Sequence, residues 1–221
     1  MTPVISAILP PGVVAAELIG ELVYADLLPE EAAALGPSTV EKRRREFAAG
    51  RSLGRRALEQ LGVVPVAIPV GANREPLWPQ GVAGSITHCD GYGAAAVAFA
   101  SEVRSIGIDA EVHERLSAGV IGLVARPEER EWIEARAGDA ICWDRVLFSA
   151  KESVFKAWFP IMGRWLGFED ATVVFDTEAT TFRANLLTDA VVDGRVITTF
   201  HGRYLVHGDH VLTSVIIEPR G

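Results

Sequence analysis

The sequence predicts an α+β fold in two halves that meet near residues 101–105. Three observations carry this. Residues 38–62, "STVEKRRREFAAGRSLGRRALEQLG", and 144–159, "DRVLFSAKESVFKAWF", repeat apolar positions at helical spacing. Between them, "AAAVAFA" (94–100) and "SIGIDAE" (105–111) read as strands. The chain beyond the second helix is rich in β-forming runs.

Taken in order, residues 1–37 are Pro-rich and mixed, with a strand expected at Glu21–Ala25. The first helix has Ser38 and Glu41 at capping-box spacing and Gly62 as its stop. Val40, Phe47, Gly54, Leu58 and Leu61 fall on one arc; Arg43 lies inside it, and Arg44, Arg51 and Arg55 line its edge. Arg44, Arg45, Arg55 and Arg56 read as solvated. Arg43 needs a buried partner, and Arg43 with Arg51 suits an anion such as phosphate lying across the helix. "ANREPLWPQG" (72–81) is a turn-rich loop, and Ser101–Arg104 turns between the two strands. Residues 113–138 are charged and expected to be helical after Pro127. The second helix starts near Asp144 and is expected to end at Pro160; a hairpin over 203–217 turns at Gly208–Asp209.

Composition excludes some classes. With 21 basic and 29 acidic residues the net charge is -8, against a general nucleic-acid binder. Cys89 and Cys142 lack CxxC spacing and read as reduced thiols. The first 41 residues hold no Lys or Arg, so a signal peptide lacks its positive start, and no apolar run is long enough to span a membrane. A cytoplasmic protein is expected. Only three of the 21 basic residues are lysines, and Lys151 and Lys156 lie in one six-residue stretch.

That stretch carries the chemistry. Asp109 and Glu111, two apart in a strand, point to one face with backbones roughly 6–7 Å apart. Taken alone they are strand-end carboxylates facing water. Glu152 and Lys156, four apart on the second helix, taken alone are a surface pair worth a few tenths of a kcal/mol. Together, three carboxylates, two lysines and two arginines describe an oxygen-lined site for Mg²⁺ and a pyrophosphate. Thr87 and His88 in "GSITHC" precede a Gly-rich turn, where His88 is either a packed residue or a phosphate donor. His207 and His210 read as exposed hairpin residues.

Gly107-Ile108-Asp109, followed 42 residues after Asp109 by "KESVFK" (151–156), resembles the two-part signature of the 4′-phosphopantetheinyl transferases. "KRRREFAAGR", "REPLWP" and "GSITHC" are similar to the enterobactin-synthase-component-D branch, related to the surfactin-synthetase-activating type. These motifs span roughly residues 40–170 in order. The resemblance implies two similar α/β halves related by a pseudo-twofold axis, residues 1–104 and 105–221, with coenzyme A in the cleft between them. It implies a monomeric enzyme that moves the phosphopantetheine arm of coenzyme A to a serine of an acyl or peptidyl carrier protein, releasing 3′,5′-ADP. By motif position Asp109, Glu111 and Glu152 would ligate Mg²⁺. Arg43, Arg51, Thr87, His88, Lys151 and Lys156 would contact coenzyme A, and Arg74 and Glu129 match only loosely. Glu152, then Glu111, is the expected base, with Lys156 steadying the reacting oxygens. Phe148 and Phe155 stand where relatives often carry Tyr or Trp and read as packing variants. Val112, Leu116, Val120, Ile121 and Leu123 are expected to form an apolar docking patch for the carrier. The same acids and bases also suit a Mg²⁺-dependent phosphodiesterase or a non-catalytic coenzyme A-binding module.

Overall fold

The computed structural model describes residues 3–21, 26–192 and 194–219. A 3₁₀ turn (Val4–Ile8) leads into β1 (Val14–Ile19), α1 (Pro29–Ala32), α2 (Glu41–Gln60), β2 (Val82–Cys89), β3 (Tyr92–Phe99) and β4 (Ser105–Val112). There follow α3 (Ala118–Val124), α4 (Pro127–Glu134), α5 (Trp143–Met162), β5 (Ala171–Asp176) and β6 (Thr181–Leu186). The chain closes with β7 (Val191–Val192), β8 (Arg195–Val196), β9 (Thr199–His207) and β10 (His210–Ile217). The α+β expectation holds. Two antiparallel sheets dominate, ordered β1-β3-β2 and β4-β10-β9-β6-β5, beside the small β7-β8 pair.

Strand β3 is buried on both faces, which its alternate residues explain. Ala95 and Val97 pack with Leu53, Ala57 and Leu58 of α2. Ala94, Ala96 and Ala98 share a core with Ile106, Ile108 and Ala110 of β4 and with Leu212. The opposite alternation on β4 faces α5: the Ser105 hydroxyl donates to the Ala157 carbonyl at 2.7 Å, and Gly107 lies against the α5 backbone. Asp109 and Glu111 continue that row. The third core joins α5 to the five-stranded sheet through Leu147, Val154, Trp158, Phe182, Phe200 and Val215.

Several local expectations need correction. Strands β3 and β4 follow each other through the expected turn but lie in different sheets, β4 pairing with β10. The β2 hydroxyls bridge the gap: Ser85 Oγ accepts the Ile108 N–H at 3.1 Å, and Thr87 Oγ1 accepts the Ala110 N–H at 2.9 Å. Helix α2 begins at Glu41 with Val40 as its cap, so Ser38 lies too far upstream to cap it, whereas Gly62 does take the left-handed turn (φ 81°). Helix α5 runs past Pro160 to Met162 and ends at Gly163 (φ 61°), because a proline in the last turn removes a single hydrogen bond. Val40 is exposed, so it is no part of the α2 core face. The strand expected at Glu21–Ala25 falls on residues 22–25, outside the described residues, while β1 went unpredicted. The hairpin turning at Gly208–Asp209 is present.

Candidate active site

A cleft of about 850 Å³ opens between α2, β2, the 73–78 loop, the Ser105 and Asp109 positions of β4 and the later turns of α5. Among the sequence-predicted residues, Arg43, Arg51, Thr87, His88, Asp109 and Lys156 line it. Glu111 and Glu152 are not among its lining residues; burial first, and then the charge of Asp109, raise the pKa of both carboxyls. Lys151 is elsewhere: with Glu152 it lines a separate cavity of about 170 Å³ beside Trp165 and Phe168.

On α2 the two arginines exchange the places expected of them. Arg51 is the buried one, its guanidinium carbon 4.3 Å from the centre of the Phe47 ring. Burial, with Arg43 and Arg55 nearby, pulls its pKa down to about 10 against the pull of Glu31. Arg43 instead has half its side chain exposed at the mouth, with Nη1 3.3 Å from His88 Nε2. Arginine only donates, so Nε2 accepts and the imidazole proton is on Nδ1. Burial first, then the raising effect of Glu46 and the lowering effect of Arg43, leave the His88 pKa lowered. Arg55, expected in solvent, is bonded to the fully buried carboxylate of Glu31, which also accepts the Ile68 N–H at 3.1 Å. A buried Glu needs such partners, and nothing in the mixed sequence of residues 1–37 marked it.

At the other wall, Lys156 bonds to Asp109 rather than to Glu152. Its Nζ donates to Asp109 Oδ1 at 2.7 Å, the Ile108 carbonyl at 3.1 Å and Thr87 Oγ1 at 3.4 Å. Thr87 donates its hydrogen to Asp109 Oδ1 at 3.3 Å. With Ala110 and Lys156 on its lone pairs, the Thr87 hydroxyl has nothing left for a ligand, and it positions Asp109 and Lys156. Glu111 is held by Arg145 Nη1 at 2.9 Å, a partner the sequence reading missed. Burial, then Asp109, push the Glu111 carboxyl up to about 7 against that arginine. The Glu152 carboxyl is likewise raised by burial and by Asp109. Glu111 is turned to Arg145, and no group of three His, Cys, Asp or Glu side chains among the described residues is assembled as a metal cage.

Lys151 departs most from its expected place. Its side chain is 2% exposed, and Nζ donates to Glu129 Oε2 at 2.7 Å, the Val124 carbonyl at 2.9 Å and the Phe168 carbonyl at 2.8 Å. An ammonium has three hydrogens, and all three are used by short bonds in a closed interior. Lys156 also has three partners, but it lines the cleft, its side chain is 27% exposed, and its 3.4 Å contact to Thr87 is long enough to be exchanged for a phosphate oxygen. Among the described residues, the buried side-chain polar atoms without a partner are Arg51 Nε, Trp78 Nε1 and Asp109 Oδ2. All three residues line the one cleft. Trp78 was not singled out in the sequence. Arg74 also lines the cleft, in a left-handed conformation (φ 69°).

The family model of the 4′-phosphopantetheinyl transferase N-terminal domain matches residues 30–98, and that of the 4′-phosphopantetheinyl transferase superfamily matches residues 105–212. The chain is 42% identical over 219 residues to the 4′-phosphopantetheinyl transferase PptT of Mycobacterium tuberculosis, covering 93% of this chain and 96% of that one. It is 44% identical over 220 residues to the 4′-phosphopantetheinyl transferase Npt of Nocardia iowensis, covering 96% and 98%. Enterobactin synthase component D of Salmonella typhi is 32% identical over 183 residues, covering 80% and 74%. The chain therefore belongs to the 4′-phosphopantetheinyl transferase superfamily, whose members transfer the phosphopantetheine arm of coenzyme A to carrier proteins. Likeness extends well beyond the 40–170 span visible in the motifs. Family membership sets aside the hydrolase and the non-catalytic binding module.

Proposed function

We propose that coenzyme A binds in this cleft by its phosphates, with Mg²⁺ at Asp109, and that Glu152 takes the proton of the carrier serine. The observation that carries the reading is the convergence of three unpartnered buried polar atoms on one cleft. Buried polar groups are otherwise hydrogen-bonded. A donor on Arg51 and an acceptor on Asp109 suit an anion and a cation bound side by side. Arg43, Arg51, His88 and Lys156 would meet the phosphates, with guanidinium forks matched to phosphate oxygens.

Asp109 Oδ2 fits a cation: it is buried, lacks a partner, and belongs to a carboxylate whose charge already disfavours ionisation of Glu111 and Glu152. Mg²⁺ is usually held by one or two carboxylates plus substrate phosphates, so a complete protein cage is not required. Asp109 would hold it with Glu111 and Glu152, and it would offset charge on the diphosphate. The new bond runs from the serine oxygen to the phosphorus attached to pantetheine. The bond from that phosphorus to the bridging oxygen breaks, and 3′,5′-ADP leaves. Glu152, with Glu111 as the alternative, accepts the serine proton, and Lys156 steadies charge on the phosphoryl and leaving oxygens.

The division into halves 1–104 and 105–221 is supported by the interval between the two family-model matches. A pseudo-twofold relation is supported by one 20-residue helix packed on each sheet, α2 and α5. The acidic balance supports the absence of nucleic-acid partners; a monomer acting in the cytoplasm without a membrane partner is proposed on the family relation. Among the described residues no helix is long and apolar enough to cross a membrane. The enterobactin synthase relatives support a siderophore-type peptidyl carrier among its partners, beside acyl carriers.

The test is intact-protein mass spectrometry of an apo carrier protein with coenzyme A and Mg²⁺. One phosphopantetheine arm is expected on the carrier, and EDTA is expected to abolish the gain; full transfer in EDTA would remove Mg²⁺ from the scheme. Docking is proposed on residues 112–125. There the structure narrows the apolar patch to Val120 and Leu123, 38% and 78% exposed, since Leu116 and Ile121 are half-buried. Val120→Asp with Leu123→Asp is expected to raise the KM for carrier about tenfold and to leave that for coenzyme A unchanged. Unaltered carrier kinetics would move the docking surface elsewhere.

A further inference from the structure

We infer that Lys151 is a positioning residue: with Glu129 it fixes the docking segment in place beside Glu152, and it does not touch coenzyme A. The inference rests on the reading of residues 112–125 as the docking surface.

The Lys151–Glu129 pair is a junction of separate chain segments. Lys151 Nζ takes the carbonyl of Val124 at the end of α3 and that of Phe168 in the turn before β5. Glu129 Oε2 also accepts the Arg126 N–H at 2.8 Å, at the start of α4, while Oε1 accepts the Val173 N–H of β5 at 2.7 Å. The pair is buried, 2% and 3% exposed. Such pairs are poor sources of stability, since packed apolar residues of the same volume often serve as well. What the pair supplies here is place: its bonds are directional and meet backbone atoms of α3, α4, β5 and the preceding turn.

The other end of the docking segment is tied to the same helix. Asp144 Oδ2 accepts the Leu116 N–H at 2.8 Å, and Arg145 Nε donates to the Glu114 carbonyl at 2.9 Å. Residues 114–124 are therefore held to α5 at two points, roughly 10 Å apart along its axis. Glu152 directly follows Lys151 on that rod. A carrier protein seated on Val120 and Leu123 is thus referenced to the proposed base through the Lys151 junction. Displacement of a reacting group by about 1 Å can lower a rate by about a hundredfold.

The experiment measures transfer kinetics per folded enzyme, varying carrier and coenzyme A separately, for Lys151→Met and Glu129→Gln. Val120→Asp with Leu123→Asp is run in parallel. In both junction variants the KM for carrier is expected to rise about tenfold and kcat to fall with it, with the KM for coenzyme A within about twofold of wild type. A purely structural tie would lower the melting temperature and leave both KM values alone, and that result overturns the inference. A rise in the coenzyme A value with a flat carrier value also overturns it and returns Lys151 to cofactor binding. If Lys151→Met fails to fold, Glu129→Gln decides, since it keeps the lysine and the side-chain shape. A flat carrier KM in the Val120 and Leu123 variant overturns the docking reading and this inference with it. A raised value there, beside flat junction variants, overturns this inference alone.

Discussion

Gly107→Ala is expected to destabilise the chain by about 3 kcal/mol or more, a large share of the 5–15 kcal/mol typical of a folded domain. A Cβ built on Gly107 would stand 1.9 Å from the Ser153 carbonyl oxygen, 2.7 Å from the Ala157 nitrogen and 2.9 Å from the Ser153 carbonyl carbon. All three are backbone atoms of α5, so no rotamer change relieves the clash and the helix must move off the strand. The backbone angle at Gly107 is not left-handed, so the demand is for space alone. The close approach also sets the site. It brings Lys156 Nζ to 2.7 Å from Asp109 and the Ser105 hydroxyl to 2.7 Å from the Ala157 carbonyl. Urea denaturation measures the effect. A midpoint equal to that of the wild type would mean that α5 is free to shift without loss.

Much of this was legible because the residues concerned repeat on a period. The alternation in "SIGIDAE" places Asp109 and Glu111 on the face that carries Gly107, and the structure keeps that register against α5. The helical period marked α2 and α5 within a few residues. Partner choice was not legible. Lys156 had Glu152 within reach along its own helix, yet it bonds across to Asp109 because β4 and α5 are in backbone contact. Arg43 fell inside the apolar arc and is half exposed, while Arg51, on the arc's edge, is buried against Phe47. That exchange follows from the way β2 and the 73–78 loop close over the helix, which the helical period alone does not contain. Lys151 matches the family motif by position but has its three hydrogens on Glu129, Val124 and Phe168, residues 17 to 27 positions away. Only the return of α3 and β5 to α5 reveals that.

Asp109→Asn is expected to lower transfer by roughly 10²- to 10⁴-fold, the equivalent of several kcal/mol of lost charge stabilisation, and to leave the protein folded. Asparagine keeps the shape of the side chain and an oxygen for the bonds from Lys156 and Thr87 at Oδ1. What it removes is the negative charge that Lys156 meets and the anionic oxygen at Oδ2. The metal-free protein offers a second readout. Burial and the Asp109 charge together hold the Glu111 carboxyl at about 7. A carboxyl raised in the folded state keeps its proton while the unfolded chain has already lost it. The wild type therefore loses stability as pH rises from the ordinary carboxylate range of about 4 to about 7. With the Asp109 charge gone, Arg145 acts on Glu111 less opposed, its pKa falls, and less stability is lost over that interval. Carrier transfer by mass spectrometry and denaturant midpoints across that pH range check both effects. Wild-type turnover in the variant would take Asp109 out of the chemistry. An unchanged pH slope would mean that burial alone raises Glu111, the two carboxylates being electrostatically independent.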